Sequence, residues 1–541
     1  MDDERAAVAE SRRRVEGLCA ALEARGEGPV RLVQTHISWV LLTPTFAFKL
    51  KKPVHLPFLD FRTLAARCHY SREEFRLNRR LAPSLYLDVV DVCEGPGGWR
   101  FGAPGRVVDV ALRMRRFPDG VLWSERRADG KLGSVDIDAL AQRLAGFHRD
   151  ASVAANGDRH GTPERQRQVT DGLIIAIDAL QKDPGAAELP VDWSRLRAWL
   201  QTESRRLAPH WEGRVRDGRV RECHGDLHLA NVVQLEDGPT AFDGIEFDPG
   251  LRWIDVLDDI AFLAMDLIAH RAPALAHRLL DRWLEATGDF EGLAALRFYL
   301  VRRALVRSHV AVLRRRQGAT VPSTCGFADY LRVADALSRS ADPRLAITHG
   351  LPGSGKSFVS ERLVEATGAI RARSDVERKR LFGLGALESS GARIAGGIYD
   401  QATTDRTYAR LLEIARLGLA AGWPVIVDAA FLRRAERERF ETLALSMQAP
   451  HAVVECRAPL TVLQRRIAQR SRAGPDASEA DNAVLERLAA VDEPLDAAER
   501  ARSIIVDADA ALDVERVSCQ WRAALVRSES PPELGPAELP A

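Results

Sequence analysis

The chain has 541 residues, 46% of them hydrophobic and 28% charged, with 77 Lys+Arg against 76 Asp+Glu for a formal net charge of +1. That length suggests two to four domains at roughly 100–200 residues each, and the apolar content excludes wholesale disorder. The near-even charge balance excludes a global basic field for gripping nucleic acid, though not a local patch.

Taken in chain order, residues 1–30 read as a helical extension. RLVQTHISWVLL (31–42) and TFAFKLKKPV (45–54) are apolar runs that predict two strands of a hairpin turning at Thr43-Pro44. A charged helix over 63–82 follows, then strands in LYLDVVDVC and RVVDVALRMRRF, separated by a Gly/Pro-rich turn at 95–105. From 136 to about 315 the pattern is helical, broken by two short apolar runs at 221–235 and 240–248. A connection at 317–343 precedes a change of texture: from 344 to 520 strands and helices alternate, which predicts a doubly wound parallel sheet. A Pro-rich acidic tail, 521–541, reads as disordered. Seven scattered cysteines without a C-x-x-C, and a charged start without an apolar signal core, predict a protein of the reducing cytoplasm. No apolar stretch reaches the roughly 18 residues a membrane helix needs.

The first chemical signature is His224-Gly-Asp226-Leu-His-Leu-Ala-Asn231, with Asp243 further on in AFDGIEFD. H-x-D-x-x-x-x-N is the spacing of a kinase catalytic loop. Asp226 is placed to accept a hydroxyl proton, while Asn231 and Asp243 are placed to hold Mg²⁺ between phosphates. A short hairpin brings the three to one rim. His224, His228 and His148 read as buried, hydrogen-bonded residues, and Asp255 and Asp259 as helix caps and braces. Upstream, Lys49, Lys51 and Lys52 stand on the second strand, with Glu73 and Glu74 on the next helix. One lysine would pair the nucleotide's α/β-phosphates with a glutamate as ion partner; Lys51 with Glu74 is the expected pair. Lys49 shares the face of Lys51, and Lys52 is on the other. The segment MRRF (114–117) is the expected hinge behind the adenine.

The second signature, Gly350-Leu-Pro-Gly353-Ser354-Gly355-Lys356-Ser357, matches G-x-x-x-x-G-K-[ST] between an apolar strand and a helix. Backbone N–H groups of such a loop form an anion nest, Lys356 reaches the β/γ-phosphates and Ser357 ligates Mg²⁺. Asp375 and Arg378 follow the next strand, Asp428 ends another, where it either stands behind a Mg²⁺ ion or caps the strand end, and Arg465, Arg466 and Arg470 are spaced like a lid over phosphates.

Residues about 30–315 resemble the aminoglycoside-phosphotransferase, or kinase-like, family through H-G-D-x-x-x-x-N and the downstream Asp243. They differ from protein kinases in having THISWVLLTPT where a G-x-G-x-x-G loop would be, and no activation-loop elements are evident. Residues about 344–510 resemble the small P-loop kinases of the polynucleotide-kinase and zeta-toxin type. That resemblance implies that Asp375 accepts the acceptor's proton, Arg378 binds the acceptor, and Arg466 or Arg470 steadies the transferring phosphoryl. The whole resembles bacterial fusions of these two domains. The fold class expected is therefore a bilobal kinase-like domain (31–316) followed by a doubly wound P-loop domain (344–520). The cofactors expected are ATP and Mg²⁺ at two sites, and the partners are small hydroxyl acceptors, with a nucleic-acid end as an option for the second half. Two other readings stand beside this one: a 5′-hydroxyl polynucleotide kinase, and a non-catalytic ATP-sensing regulator.

Overall fold

The computed structural model describes residues 2–56, 59–155, 157–316, 325–388, 400–473, 478, 481–507 and 510–524. Residues 317–324 of the expected connection, and the expected tail from 525 onward, lie outside this set. The chain divides into two compact units: 1–271 with 298–335, and 272–297 with 336–541. No helix among the described residues is long and apolar enough to cross a membrane.

The first unit combines an antiparallel sheet with a mainly helical remainder. Six strands form an antiparallel sheet in the spatial order Arg31–Gln34, Ser38–Leu42, Phe46–Lys51, Arg106–Arg115, Tyr86–Gly95, Gly98–Phe101. The run 31–42, expected as one strand, is two. Thr35 Oγ1 accepts from Ser38 N at 3.0 Å, and this turn folds Arg31–Gln34 back on Ser38–Leu42. The Thr43-Pro44 turn then pairs Ser38–Leu42 with Phe46–Lys51, Ser38 opposite Lys51. One sheet face packs Trp39, Leu41, Phe48 and Leu50 on Val15, Leu18 and Leu22 of helix Asp2–Ala24. On the other side, helix Leu64–Asn78 starts at Thr63, whose side chain accepts from Ala66 N, and buries Glu74, Leu77 and Asn78. The helical remainder carries the hairpin Val232–Leu235/Gly238–Ala241 and the nearly wholly buried helix Val256–Ala269.

The second unit holds a five-stranded, all-parallel sheet in the order Ile370–Arg373, Val425–Asp428, Leu345–His349, His451–Arg457, Ser503–Asp507. Its central strands are buried on both faces, so LAITH and VIVD open as apolar runs and turn polar only at their ends, at Thr348 and His349 and at Asp428. The fifth strand, Ser503–Asp507, has no counterpart in the sequence reading. Helix Lys356–Thr367 covers one face with Val359, Leu363 and Val364 packed on Ala346, Ile426 and Val454.

Helix Pro273–Thr287, which lies inside 31–316 by sequence, belongs to this second unit. Arg371, on the first strand of the sheet, donates to Asp281 through Nε at 3.0 Å and a terminal nitrogen at 2.6 Å, both side chains almost wholly buried. Arg373 donates to Glu285 at 3.0 Å, and Arg278 reaches Glu361 and Glu365, each at 2.7 Å. Two arginines on a buried strand need carboxylates, and this helix supplies them. Asp281→Ala strips Arg371 of its two-pronged partner and is expected to cost the second unit about 3–5 kcal/mol, read as a lower urea midpoint. Replacing both, Asp281→Leu with Arg371→Met, is expected to recover most of the loss; a single variant as stable as wild type would refute the assignment.

Candidate active sites

In the second unit, the loop 350–355 leaves the central strand and wraps the start of helix Lys356–Thr367. Gly350 (φ +144°) and Gly353 (φ +84°) lie in the region that favours glycine, and a Cβ would come within 2.5 Å of Cys456 O and 2.9 Å of Leu463 O. The cradle is therefore closed to any side chain there. Lys356 Nζ is turned onto the carbonyls of Gly350 (2.8 Å) and Leu351 (3.0 Å), and the buried Ser354 Oγ has no partner among the described residues. A loop whose ammonium is held by its own carbonyls, with an orphaned hydroxyl beside it, fits a phosphate group.

The loop opens into a cavity of about 590 Å³ that also gathers Ser357, Asp375, Arg378, Asp428 and Arg466. Asp428, buried at its strand end, accepts from Ser360 Oγ at 3.0 Å and lies 3.7 Å from Arg373 Nε. Ser360 is one turn beyond Ser357, so the carboxylate is tied to the phosphate-loop helix where a metal ion would sit. Asp375 is the second residue of the short helix Ser374–Arg380, whose N-cap is Arg373 with no side-chain cap bond, and it lines the cavity. Arg378, one turn on, donates to Thr404 Oγ1 at 3.2 Å. Arg466, on helix Leu460–Ala473, donates to Gly353 O at 3.4 Å and so closes on the loop. The side chain of Arg470 lies outside the described residues. The cavity also includes Gln401, Thr404, Arg433, Glu436 and Arg487, which no motif marks.

In the first unit, Glu74 is the centre. Its two oxygens accept from Lys49 Nζ and Lys51 Nζ, each at 2.8 Å. The lysines then diverge: Lys49 also bonds Asp243 Oδ1 at 2.5 Å, and Lys51 bonds the buried Glu246. Burial alone would raise the Glu74 carboxyl, but the two ammonium groups hold it down at about 2. The Lys51 side chain is 1% exposed and enclosed by two glutamates, whereas Lys49 is 13% exposed and touches Asp243, itself 42% exposed. Of the expected pair, Glu74 is at the centre, but Lys49 and not Lys51 faces the site. Lys52 lies on the Trp39 ring.

Asp243 has φ +63°, an uncommon backbone for a non-glycine residue, held because its N–H donates to the Tyr86 hydroxyl at 3.0 Å and Gly244 N donates to Asn78 Oδ1 at 2.8 Å. Across the hairpin, Phe242 N donates to Asn231 O at 3.0 Å, and Asn231 Nδ2 donates to Asp226 O (3.0 Å) and Oδ2 (3.2 Å). Asn231 therefore touches Asp226 directly, and Asp243 is the next residue along from the one bonded to the Asn231 carbonyl. Burial would raise the Asp226 carboxyl, yet His228 Nε2 at 3.4 Å and the nearby Arg307 keep it well below the usual carboxylate range. Asp226 is thus ionised, as a proton acceptor must be.

His224 accepts from Asp226 N through Nδ1 and donates through Nε2 to Phe242 O at 2.9 Å, which fixes the neutral ring with its proton on Nε2. Buried Asp259 accepts from the N–H groups of His224 (3.1 Å) and Gly225 (2.9 Å) and from His148 (3.1 Å). Asp255 caps helix Val256–Ala269 by accepting from Leu257 N at 2.9 Å. Arg303, paired with Asp258, donates to Gly225 O at 3.2 Å, a brace that no spacing reveals.

The family described as AAA domain (AAA_33) matches residues 345–495. Uncharacterized proteins of Mycobacterium bovis and Mycobacterium tuberculosis are 28% identical over 474 residues, 86% of this chain and 91% of each relative. Among solved structures, a gluconokinase from Sinorhizobium meliloti is 22% identical, covering 34% of this chain and 92% of its own, with a TM-score of 0.24. A choline/ethanolamine kinase family protein from Mesorhizobium loti is 12% identical, covering 59% and 94%, with a TM-score of 0.33. The family match places an AAA-type domain in the second unit, and the matched span contains the phosphate loop, Asp375, Arg378, Asp428 and Arg466.

The Glu74 cluster makes the first unit acid-sensitive. A carboxyl group held near 2 against an ordinary value of 4.5 contributes stability that is fully present above about 4.5 and fades as the pH falls toward 2. Glu74→Gln is expected to cost about 3 kcal/mol or more at pH 7, with the gap to wild type closing below pH 4.5 in urea melts. A gap independent of pH would refute the cause assigned.

Proposed function

We propose that the chain is an ATP- and Mg²⁺-dependent phosphotransferase with two nucleotide sites, each passing the γ-phosphoryl group to a hydroxyl acceptor. One observation carries the reading: the phosphate loop, a strand-end carboxylate, a helix carboxylate and a lid arginine line one cavity in the second unit. There, Lys356 and the loop N–H groups take the β/γ-phosphates, and Arg466 takes charge that develops on the transferring group. Ser357, with Asp428 behind it, would hold Mg²⁺, which would supply charge neutralisation to the phosphates. Asp375 accepts the acceptor's proton as its oxygen bonds to the γ-phosphorus and the bond to the β–γ bridging oxygen breaks.

In the first unit the same roles fall to Asp226 as proton acceptor, to Asn231 and Asp243 as metal ligands, and to Lys49, braced by Glu74, as the phosphate lysine. Lys51 is assigned a structural role, as counter-charge to Glu74 and Glu246. A cavity of about 590 Å³, the size of a small-molecule pocket, favours small acceptors over a nucleic-acid end in the second unit. Seven unpaired cysteines support a reducing compartment, the cytoplasm.

The test is transfer from γ-labelled ATP to a panel of hydroxyl compounds. Lys356→Ala is expected to remove transfer at the second site, and Asp375→Asn to lower it about 100-fold or more with ATP binding kept. Asp226→Asn should do the same at the first site. If the Asp226→Asn, Asp375→Asn double variant transfers label as fast as wild type, the reading is wrong. Lys49→Met is expected to abolish first-site transfer in a folded protein, whereas Lys51→Met lowers the unfolding midpoint; the reverse outcome returns the phosphate role to Lys51.

A further inference from the structure

The second-unit cavity has more cationic side chains than nucleotide binding uses. Lys356 and Arg466 sit on the phosphate loop itself. Arg373 is answered by Glu285 and lies beside Asp428. Three guanidinium groups remain: Arg378, Arg433 and Arg487.

How they are held is informative. Arg433 donates to Gln401 Oε1 at 2.9 Å and Arg378 to Thr404 Oγ1 at 3.2 Å. Gln401 and Thr404 are three residues apart on helix Gln401–Ala420 and both face the cavity. A neutral amide or hydroxyl aims a guanidinium without cancelling its charge. Neighbouring arginines on the same helix start are treated differently: Arg434 pairs with Glu438 at 2.8 Å and Asp496 at 3.2 Å, and Arg437 with Glu499 at 2.6 Å. Among the described residues, no carboxylate lies within ion-pair distance of Arg433 or Arg487. Glu436 in the same wall is hydrogen-bonded to the Tyr408 hydroxyl and to the backbone N–H of Arg433, and its burial outweighs the pull of the Arg433 and Arg437 charges and raises its carboxyl. Leu432, Val484 and Leu488 line the same cavity, leaving room for a short carbon skeleton.

We infer that Arg433 and Arg487 form an anion subsite, and that the acceptor of the second site is a small hydroxyl compound bearing a carboxylate or phosphate group. The inference rests on the phosphotransferase reading and adds the acceptor's class to it. Arg378, one turn from Asp375, lies toward the reacting hydroxyl, and the anionic group is held unchanged while the hydroxyl proton passes to Asp375 and ADP leaves.

The experiment uses the full chain with Asp226→Asn, so that label reports the second site. Hydroxy acids, sugar phosphates and nucleoside 3′-monophosphates are each tested against the neutral counterpart, glycerate and glycerol 3-phosphate against glycerol, adenosine 3′-monophosphate against adenosine. The expected result is that an anionic member exceeds its neutral counterpart at least tenfold in kcat/KM. Arg433→Gln and Arg487→Gln should each cut that excess about tenfold through the acceptor KM, leaving the KM for ATP unchanged, with Arg433→Lys recovering part of it. Neutral acceptors used equally well, an excess that survives both substitutions, or a 5′-hydroxyl oligonucleotide preferred over every small anion overturns the subsite while sparing the phosphotransferase reading. Label passed to no acceptor sinks both.

Discussion

Taking Glu74 out of water costs several kcal/mol unless cationic partners replace its hydration. Lys49 and Lys51 replace it from one strand face, and in doing so they fix helix Leu64–Asn78 against the sheet at a single register. Everything at the first site follows from that contact. Lys49, held at its base by Glu74, presents its ammonium to Asp243. Asp243 is in turn held in its strained backbone by Tyr86 on the sheet, while Asn78 on the helix holds Gly244 beside it. Sheet, helix and hairpin meet on one desolvated carboxylate, so Lys49 and Asp243 are positioned by the same contact.

The second unit solves the same problem with guanidinium groups. Arg371 and Arg373 emerge from a buried strand beside Asp428, where uncompensated charge would displace that carboxylate from the phosphate loop. Asp281 and Glu285 absorb it from the helix Pro273–Thr287. This is why a stretch of 272–297 is part of the P-loop unit although its sequence position lies well before the phosphate loop. The charge balance around Asp428 is completed by residues some 140 positions upstream of it, by numbering in the chain.

Local chemistry made much of this legible in the sequence. The phosphate loop and the H-G-D-x-x-x-x-N run declare themselves because spacing there is dictated by contiguous backbone, and the structure brings each set together. The strands LAITH and VIVD were readable because parallel strands buried on both faces are near-continuous apolar runs. Three features were not readable. The turn at Thr35 depends on a single side-chain hydrogen bond inside an apolar run. The choice between Lys49 and Lys51 depends on depth, which two residues of the same strand face do not reveal: both reach Glu74, and only the placement of Glu246 and Asp243 separates them. Arg433 and Arg487 belong to no motif because their common cavity is assembled from separate helices.

Lysine usage ties the two sites together. Only seven of 77 basic residues are lysine, so each surviving lysine marks a place where arginine's planar fork was not substituted. Lys131 and Lys182 are exposed. The other five are at least partly buried, and each bonds or packs where space is narrow. Lys49 and Lys51 share one carboxylate, Lys52 reaches Thr35 O beneath the Trp39 ring, Lys356 reaches two loop carbonyls, and Lys379 donates to Ala386 O. A compact ammonium donates tetrahedrally into such spaces, and its flexible stem lets it leave one set of oxygens for another. Lys356 is the case where that matters most: the carbonyls that hold it are replaceable by phosphate oxygens at little reorganisation cost, whereas a guanidinium locked into a two-pronged pair, as Arg371 is with Asp281, has nowhere to go.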